Sequence, residues 1–198
     1  MKRLLNVVTL VALALVFASP ALAQRPEKPF MAEARAGYNL PTGDLADFVD
    51  GTVGFGASFG YYFTPKFVIM AEFDYGSHSY KTDIVDPGFD LGSAKEDVMH
   101  FMGKIGYVLF QSADGKMKIL VNAGAGAMNF KFKADGIDSE STTKFAINAG
   151  AKFYYMFTPS VGLVISPQGD IATGFDKDVD GSSTKWVWPL TAGIAFNF

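Results

Sequence analysis

The sequence predicts an all-β chain: an eight-stranded antiparallel up-and-down transmembrane β-barrel. Three observations predict it. Eight stretches of about ten residues alternate large apolar side chains with small or polar ones, the period of a strand with unlike faces. The connections between those stretches alternate in length, four long and three short. The apolar faces carry rings near both strand ends and aliphatic side chains midway, the profile of a strand anchored at two membrane interfaces. A bilayer core offers no water to backbone N–H and C=O groups, so a spanning sheet must close on itself to lose its edges.

Composition agrees. The 198 residues suit one domain; 49% are hydrophobic and 15% aromatic, with 19 Phe, 21 Gly and no Cys. After residue 30 no stretch approaches the roughly 20 apolar residues that a membrane helix needs. The start of the chain reads as an export signal. Lys2 and Arg3 precede the apolar run Leu4 to Phe17, and Ala21-Leu22-Ala23 forms a small-x-small cleavage site before Gln24. The expected organisation is therefore a signal peptide over residues 1–23 and a barrel domain over residues 24–198. Loss of the two positive charges, Lys2 and Arg3, moves the formal charge from -3 to -5. A mildly acidic chain without a basic stripe makes nucleic acid an unsuitable partner.

Taken in order, Met31 to Leu40 is the first strand and Pro41 to Gly51 a loop marked by Pro, Gly and Asp. Val53 to Phe63 follows, with Val53, Phe55, Ala57, Phe59 and Tyr61 against Gly54, Gly56, Ser58 and Gly60. Thr64-Pro65-Lys66 is a tight turn into Phe67 to Tyr75, where Glu72 and Asp74 fall on the non-aromatic face. Gly76 to Glu96 is the longest connection. Asp97 to Phe110 and Lys116 to Lys131 are the fourth and fifth strands, joined by the turn Gln111 to Gly115. The loop Phe132 to Thr142 leads to a sixth strand, Thr143 to Phe157. Thr158-Pro159-Ser160 repeats the earlier Thr-Pro turn. Val161 to Ala172 is a seventh strand, less regular because Pro167 cannot donate to a ladder. Thr173 to Lys185 is the last loop, before the final strand Trp186 to Phe198.

The second face of these strands carries charge: Glu33, Arg35, Glu72, Asp74, His100, Lys104, Lys152 and Asp170, with Lys118, Lys144 and Asn148 on the same parity. A soluble barrel core does not hold so many ions, whereas a lumen lets acids and bases pair. Eight strands leave an interior just wide enough for side chains. The expectation is a lumen filled by this polar network, with Gly on the inner faces making room. The same group also admits a second reading, a small ion gate.

The alternating last strand ending on Phe198 resembles the C-terminal strand of small bacterial outer-membrane barrels of the OmpA, OmpX and opacity-protein type. So do Tyr38-Asn39-Leu40-Pro41-Thr42-Gly43-Asp44-Leu45 and the run Gly54 to Ala57. The whole mature chain is similar to this porin-family, outer-membrane β-barrel group. The resemblance implies residence in the cell outer membrane, contact with its lipid and lipopolysaccharide, and recognition by the barrel assembly machinery through the strand ending at Phe198. It also implies a monomer with a structural or adhesive role and loops open to an extracellular ligand. No peptidoglycan-binding domain follows the barrel, so wall anchoring is not implied.

Three alternatives stand beside this reading. A narrow channel for ions or small solutes is the runner-up function. A lipid A-modifying enzyme is suggested by Ser77-His78-Ser79, since a serine nucleophile needs a base and an orienting carboxylate. Yet the His-x-Ser spacing of the resembling deacylases is missing, because Ser79 follows His78 directly and Tyr80 comes next. Asp176-x-Asp178-x-Asp180-Gly181 matches the opening of an EF-hand loop, but Val187 stands at its twelfth position. No catalytic residue, metal or cofactor is expected.

Overall fold

The computed structural model describes residues 26–81, 94–134, 137–138, 141–176 and 183–198. Residues 1–25, which hold the expected signal peptide, lie outside them, as do Asp178 and Asp180. The strands are β1 (Phe30–Thr42), β2 (Thr52–Tyr62), β3 (Phe67–Ser79), β4 (Lys95–Gln111), β5 (Met117–Ala134), β6 (Ile137–Asp138), β7 (Thr142–Met156), β8 (Val161–Thr173) and β9 (Thr184–Asn197). A four-residue helix, α1 (Leu45–Phe48), sits in the first loop. Among the described residues no helix is long and apolar enough to cross a membrane.

Each long strand pairs antiparallel with its neighbour in the chain, and β1 pairs with β9 from Met31↔Asn197 to Thr42↔Trp186. That last ladder, together with the β4–β5 pairing, closes the eight long strands into a barrel. Phe30 and Phe198 exchange both backbone hydrogen bonds at 3.0 Å, which seals the seam at its turn end. Closure leaves the membrane no sheet edge, as the lack of water there demands.

The large apolar side chains point outward. Phe55 and Phe153 are 59% and 43% exposed, whereas Glu72 and Lys152 are 5% and 0% exposed. Rings cluster at the turn end, where Phe67 lies 5.0 Å from Tyr107 and Phe30 5.9 Å from both Phe59 and Phe198. Phe73 and Phe101 pair at 5.0 Å farther up the wall, and Tyr38, Trp186 and Trp188 stand exposed toward the loop end. These are the two girdles that hold a barrel at the interfaces.

The short turns share one chemistry. The Thr64 hydroxyl accepts from Lys66 N at 3.2 Å and Phe67 N at 3.0 Å, and Thr158 does the same for Ser160 and Val161. In the third turn Gly115 adopts φ 70°, a region that only glycine enters without strain. A bulge between Val108 and Phe110 turns both Leu109 and Phe110 outward. Pro167 interrupts pairing as expected: β7–β8 and β8–β9 each miss two registers beside it.

The structure departs from the sequence reading at the loop end. β3 runs on to Ser79 and β4 starts at Lys95, so the longest connection is shorter than Gly76 to Glu96. The first loop is not irregular throughout, since α1 turns Leu45 and Val49 inward. The interior is not polar from end to end. A layer containing Met31, Val68, Met70, Leu120, Met156 and Val164 fills the turn end. A second, with Leu45, Val49, Val98, Phe130, Phe175 and Val187, fills the loop end. The turn-end layer uses inward strand positions, and the loop-end layer adds Leu45, Val49 and Phe175 from outside the strands; burial of apolar area stabilises both without needing partners.

Candidate functional site

Between the two apolar layers lies a band of buried ions. Its members come from β1, β3, β4, β7 and β8, each placed inward by strand parity. Glu33 and Arg35 stand one inward step apart on β1, as Glu72 and Asp74 do on β3.

Arg35 is the hub. Its Nη2 lies 3.1 Å from Glu72 Oε2 and 3.3 Å from Asp74 Oδ1, Nε lies 3.6 Å from Glu33 Oε2, and Nη1 donates to Ser166 Oγ at 2.7 Å. The planar guanidinium suits this fan of acceptors, which a point-charge ammonium does not match. Lys152 Nζ sits 2.6 Å from Glu33 Oε2 and 2.8 Å from Glu72 Oε2, and it also donates to Ser58 Oγ at 3.2 Å. Lys104 donates to Glu72 Oε1 and, at 3.3 Å, to Gln168 Oε1. Glu33 accepts further from Tyr154 Oη and Ser58 Oγ, each at 2.6 Å. Three cations thus face three carboxylates, Glu33, Glu72 and Asp74. Such buried ions persist only when paired and hydrogen-bonded.

A second group adjoins this band. His100 Nδ1 donates to Asp170 Oδ2 at 2.7 Å, and Asn148 Nδ2 donates to Asp170 Oδ1. His100 and Asp74 are cross-strand partners, so the two groups are joined through the β3–β4 ladder. All eight charged positions singled out from the sequence therefore lie inside and make polar contacts with one another. Lys118 and Lys144 share their parity but not their company. Lys118 sits at the turn end between tyrosine rings, and Lys144 at the loop rim donates to Gly174 O at 2.7 Å.

Glycine makes the room. A Cβ on Gly56 would collide with the Asp74 carboxylate and come 3.1 Å from Arg35 Nη2. Ser58, Tyr154, Ser166 and Gln168 were not picked out from the sequence. Their signal was present, since each holds an inward parity position, but neutral side chains do not stand out in an alternating strand.

The other motifs stand apart. His78 is buried with Nδ1 2.8 Å from Asp50 O, where it ties the first loop to β3. Ser77 pairs with Asp97 across the ladder, and Asp97 Oδ2 lies 2.6 Å from Lys133 Nζ. Among the described residues no group of three or more His, Cys, Asp or Glu side chains is placed to hold a metal ion.

No curated protein matches the sequence. Solved structures do match in fold. Neisserial surface protein A superposes with a TM-score of 0.62 at 17% identity, covering 85% of this chain and 97% of its own. A major outer membrane protein from Thermus thermophilus gives a TM-score of 0.56 at 14% identity, covering 87% and 100%. The N-terminal β-barrel domain of Pseudomonas aeruginosa OprF gives 0.54 at 17% identity, covering 88% and 100%. Residues 9–181 match the family described as outer membrane protein beta-barrel domain, and to that family the chain belongs.

Proposed function

We propose that this outer-membrane barrel acts as a structural and surface-interaction protein whose lumen is closed to diffusion. Its role is envelope stability or adhesion, with the long loops outside the cell and the short turns in the periplasm. The observation that supports this best is the ion band: Lys152 on β7 reaches across the lumen to carboxylates on β1 and β3, Arg35 and Lys104 pair with the same Glu72, and apolar layers cover the band above and below. Holding charges in such a cross-brace stiffens the barrel, because each ion left unpaired would carry a heavy desolvation cost.

Export in this proposal uses a signal peptide cleaved after Ala23, and the strand that ends at Phe198 guides assembly. The folded protein is a monomer contacting lipid and lipopolysaccharide, with its loops free for an extracellular ligand. Neither a catalytic step nor a cofactor belongs to this role. Substitution of His78 by Ala is accordingly silent in any lipid deacylation assay.

A narrow channel is the second reading, favoured by one observation. Asn122, buried on the inner face of β5, has neither end of its amide hydrogen-bonded among the described residues. Conductance across planar bilayers separates the two. The closed barrel gives no steady single-channel steps. Steps that vanish when Lys104 or Glu72 is neutralised would establish the channel instead.

A further inference from the structure

The turn end of the barrel opens into a cavity of about 460 Å³ that the ion band does not use. Its floor is Lys118, half-buried, whose Nζ lies 4.5 Å and 4.6 Å from the ring centres of Tyr62 and Tyr154. The ammonium donates to Tyr62 Oη at 2.6 Å. An ammonium has three donors, and among the described residues Tyr62 Oη is the one acceptor it meets and no carboxylate lies within ion-pair distance. Glu33, beyond Tyr154, is already engaged by Tyr154 and Lys152.

The walls repeat the imbalance. Lys28 and Lys116 also line the cavity, against a single carboxylate, Asp114. That carboxylate is occupied, accepting from Ser112 Oγ at 2.6 Å and Lys116 N at 3.1 Å. Lys28 donates to the Ser160 hydroxyl, a neutral oxygen like Tyr62 Oη. At the loop end Lys185 lies 3.6 Å from the Glu96 carboxylate, and Lys144 donates to the Gly174 carbonyl.

We propose that this turn-end cavity binds a phosphate-type oxyanion, with Lys118 as its principal partner and Lys116 and Lys28 at the rim. The two tyrosine rings hold the ammonium in place through their faces and keep it partly desolvated. A charge-assisted hydrogen bond to an oxyanion then gains more than it would in open water. The chemistry is shared by a lipid headgroup phosphate and by free phosphate in the periplasm.

The test is calorimetric titration of the folded full chain in zwitterionic detergent with inorganic phosphate. One saturable site is expected. Lys118→Gln weakens binding at least tenfold, and Lys144→Gln at the other end leaves it unchanged. Absence of saturation overturns the proposal, and so does equal weakening by both variants. If Lys118→Gln does not reach the folded electrophoretic mobility, the rim double variant Lys28→Gln/Lys116→Gln decides. A loss of threefold or more supports the site, and no loss overturns it. Repeating the titration in vesicles of phosphatidylcholine with and without phosphatidylglycerol assigns the source. Weakened phosphate binding beside phosphatidylglycerol marks a lipid headgroup as occupant, and equal binding marks a soluble anion.

Discussion

Lys152 on β7 and Glu33 on β1, 119 residues apart in the chain, meet inside the barrel with Nζ 2.6 Å from Oε2. The two strands are not ladder neighbours, so this contact crosses the lumen rather than running along the sheet. It draws the walls toward each other at the height where the outer surface meets the lipid chains. The same lysine reaches Glu72 on β3, so one ammonium braces three strands.

That geometry makes Lys152 a costly charge to remove. Lys152→Met leaves Glu33 and Glu72 buried with one cation fewer between them. Breaking a buried ion pair from one side costs about 3–5 kcal/mol. Urea unfolding in lipid vesicles should show a loss of that size. Lys66→Met, in an exposed turn, should change stability by less than about 0.5 kcal/mol.

Gly124 sits where β4 and β5 leave no room for a side chain. A Cβ there would strike the Gly103 carbonyl oxygen and sit 2.7 Å from Lys104 Cγ and 2.8 Å from Lys104 Cα. Gly124→Val should therefore push β5 from β4 and cost about 1–3 kcal/mol, the usual range for overpacking. Electrophoretic mobility before and after heating reads the folded fraction. Gly103, whose added Cβ would meet no heavy atom closer than 3.8 Å, should accept Ala with little effect.

Ile105 tests which surface meets lipid. It is 61% exposed and sits midway along β4. Arginine at the bilayer midplane of such a barrel costs about 2–4 kcal/mol. Ile105→Arg should show that loss when the protein unfolds from vesicles. A cost near zero would mean that this face contacts water.

The turn at Asp114 gives a pH signature. The Ser112 hydroxyl, followed by the Lys116 backbone amide, holds the Asp114 carboxyl below the usual carboxylate range. A carboxyl with a lowered folded-state value contributes stability above its unfolded value, near pH 4, and loses it as pH falls through the folded value. Asp114→Asn should flatten that part of the stability profile, lowering the neutral and alkaline limbs by the contribution removed while leaving their slopes unchanged. Unfolding midpoints measured across acid pH check this.

Much of the ion band was legible beforehand because charge on one parity of a membrane strand is conspicuous. Glu72 with Asp74, and Glu33 with Arg35, announce an inner face by spacing alone. The apolar end layers were not legible, although Met70, Leu120 and Val164 share that parity. An apolar residue at an inward position looks the same as a shifted register until the neighbouring strands are in place. Helix α1 was missed for a related reason. Four residues carry too little periodicity to be seen, and Leu45 and Val49 turn inward only because the barrel mouth beneath them is apolar.

By itself, the sequence determined the number of long barrel strands, the side of each that faces lipid, and the alternation of short turns with long loops; the two-residue β6 within the third loop was too short to show. Those properties are local, since side-chain parity repeats every two residues and turn chemistry resides in a few neighbours. Tertiary structure alone decided that Lys152 would find Glu33, that His100 would find Asp170, and that Lys118 would sit in a tyrosine clasp apart from the ion band. Those meetings depend on the stagger of strands around a closed sheet. That stagger is set by all the ladders together, so no stretch of the chain carries it.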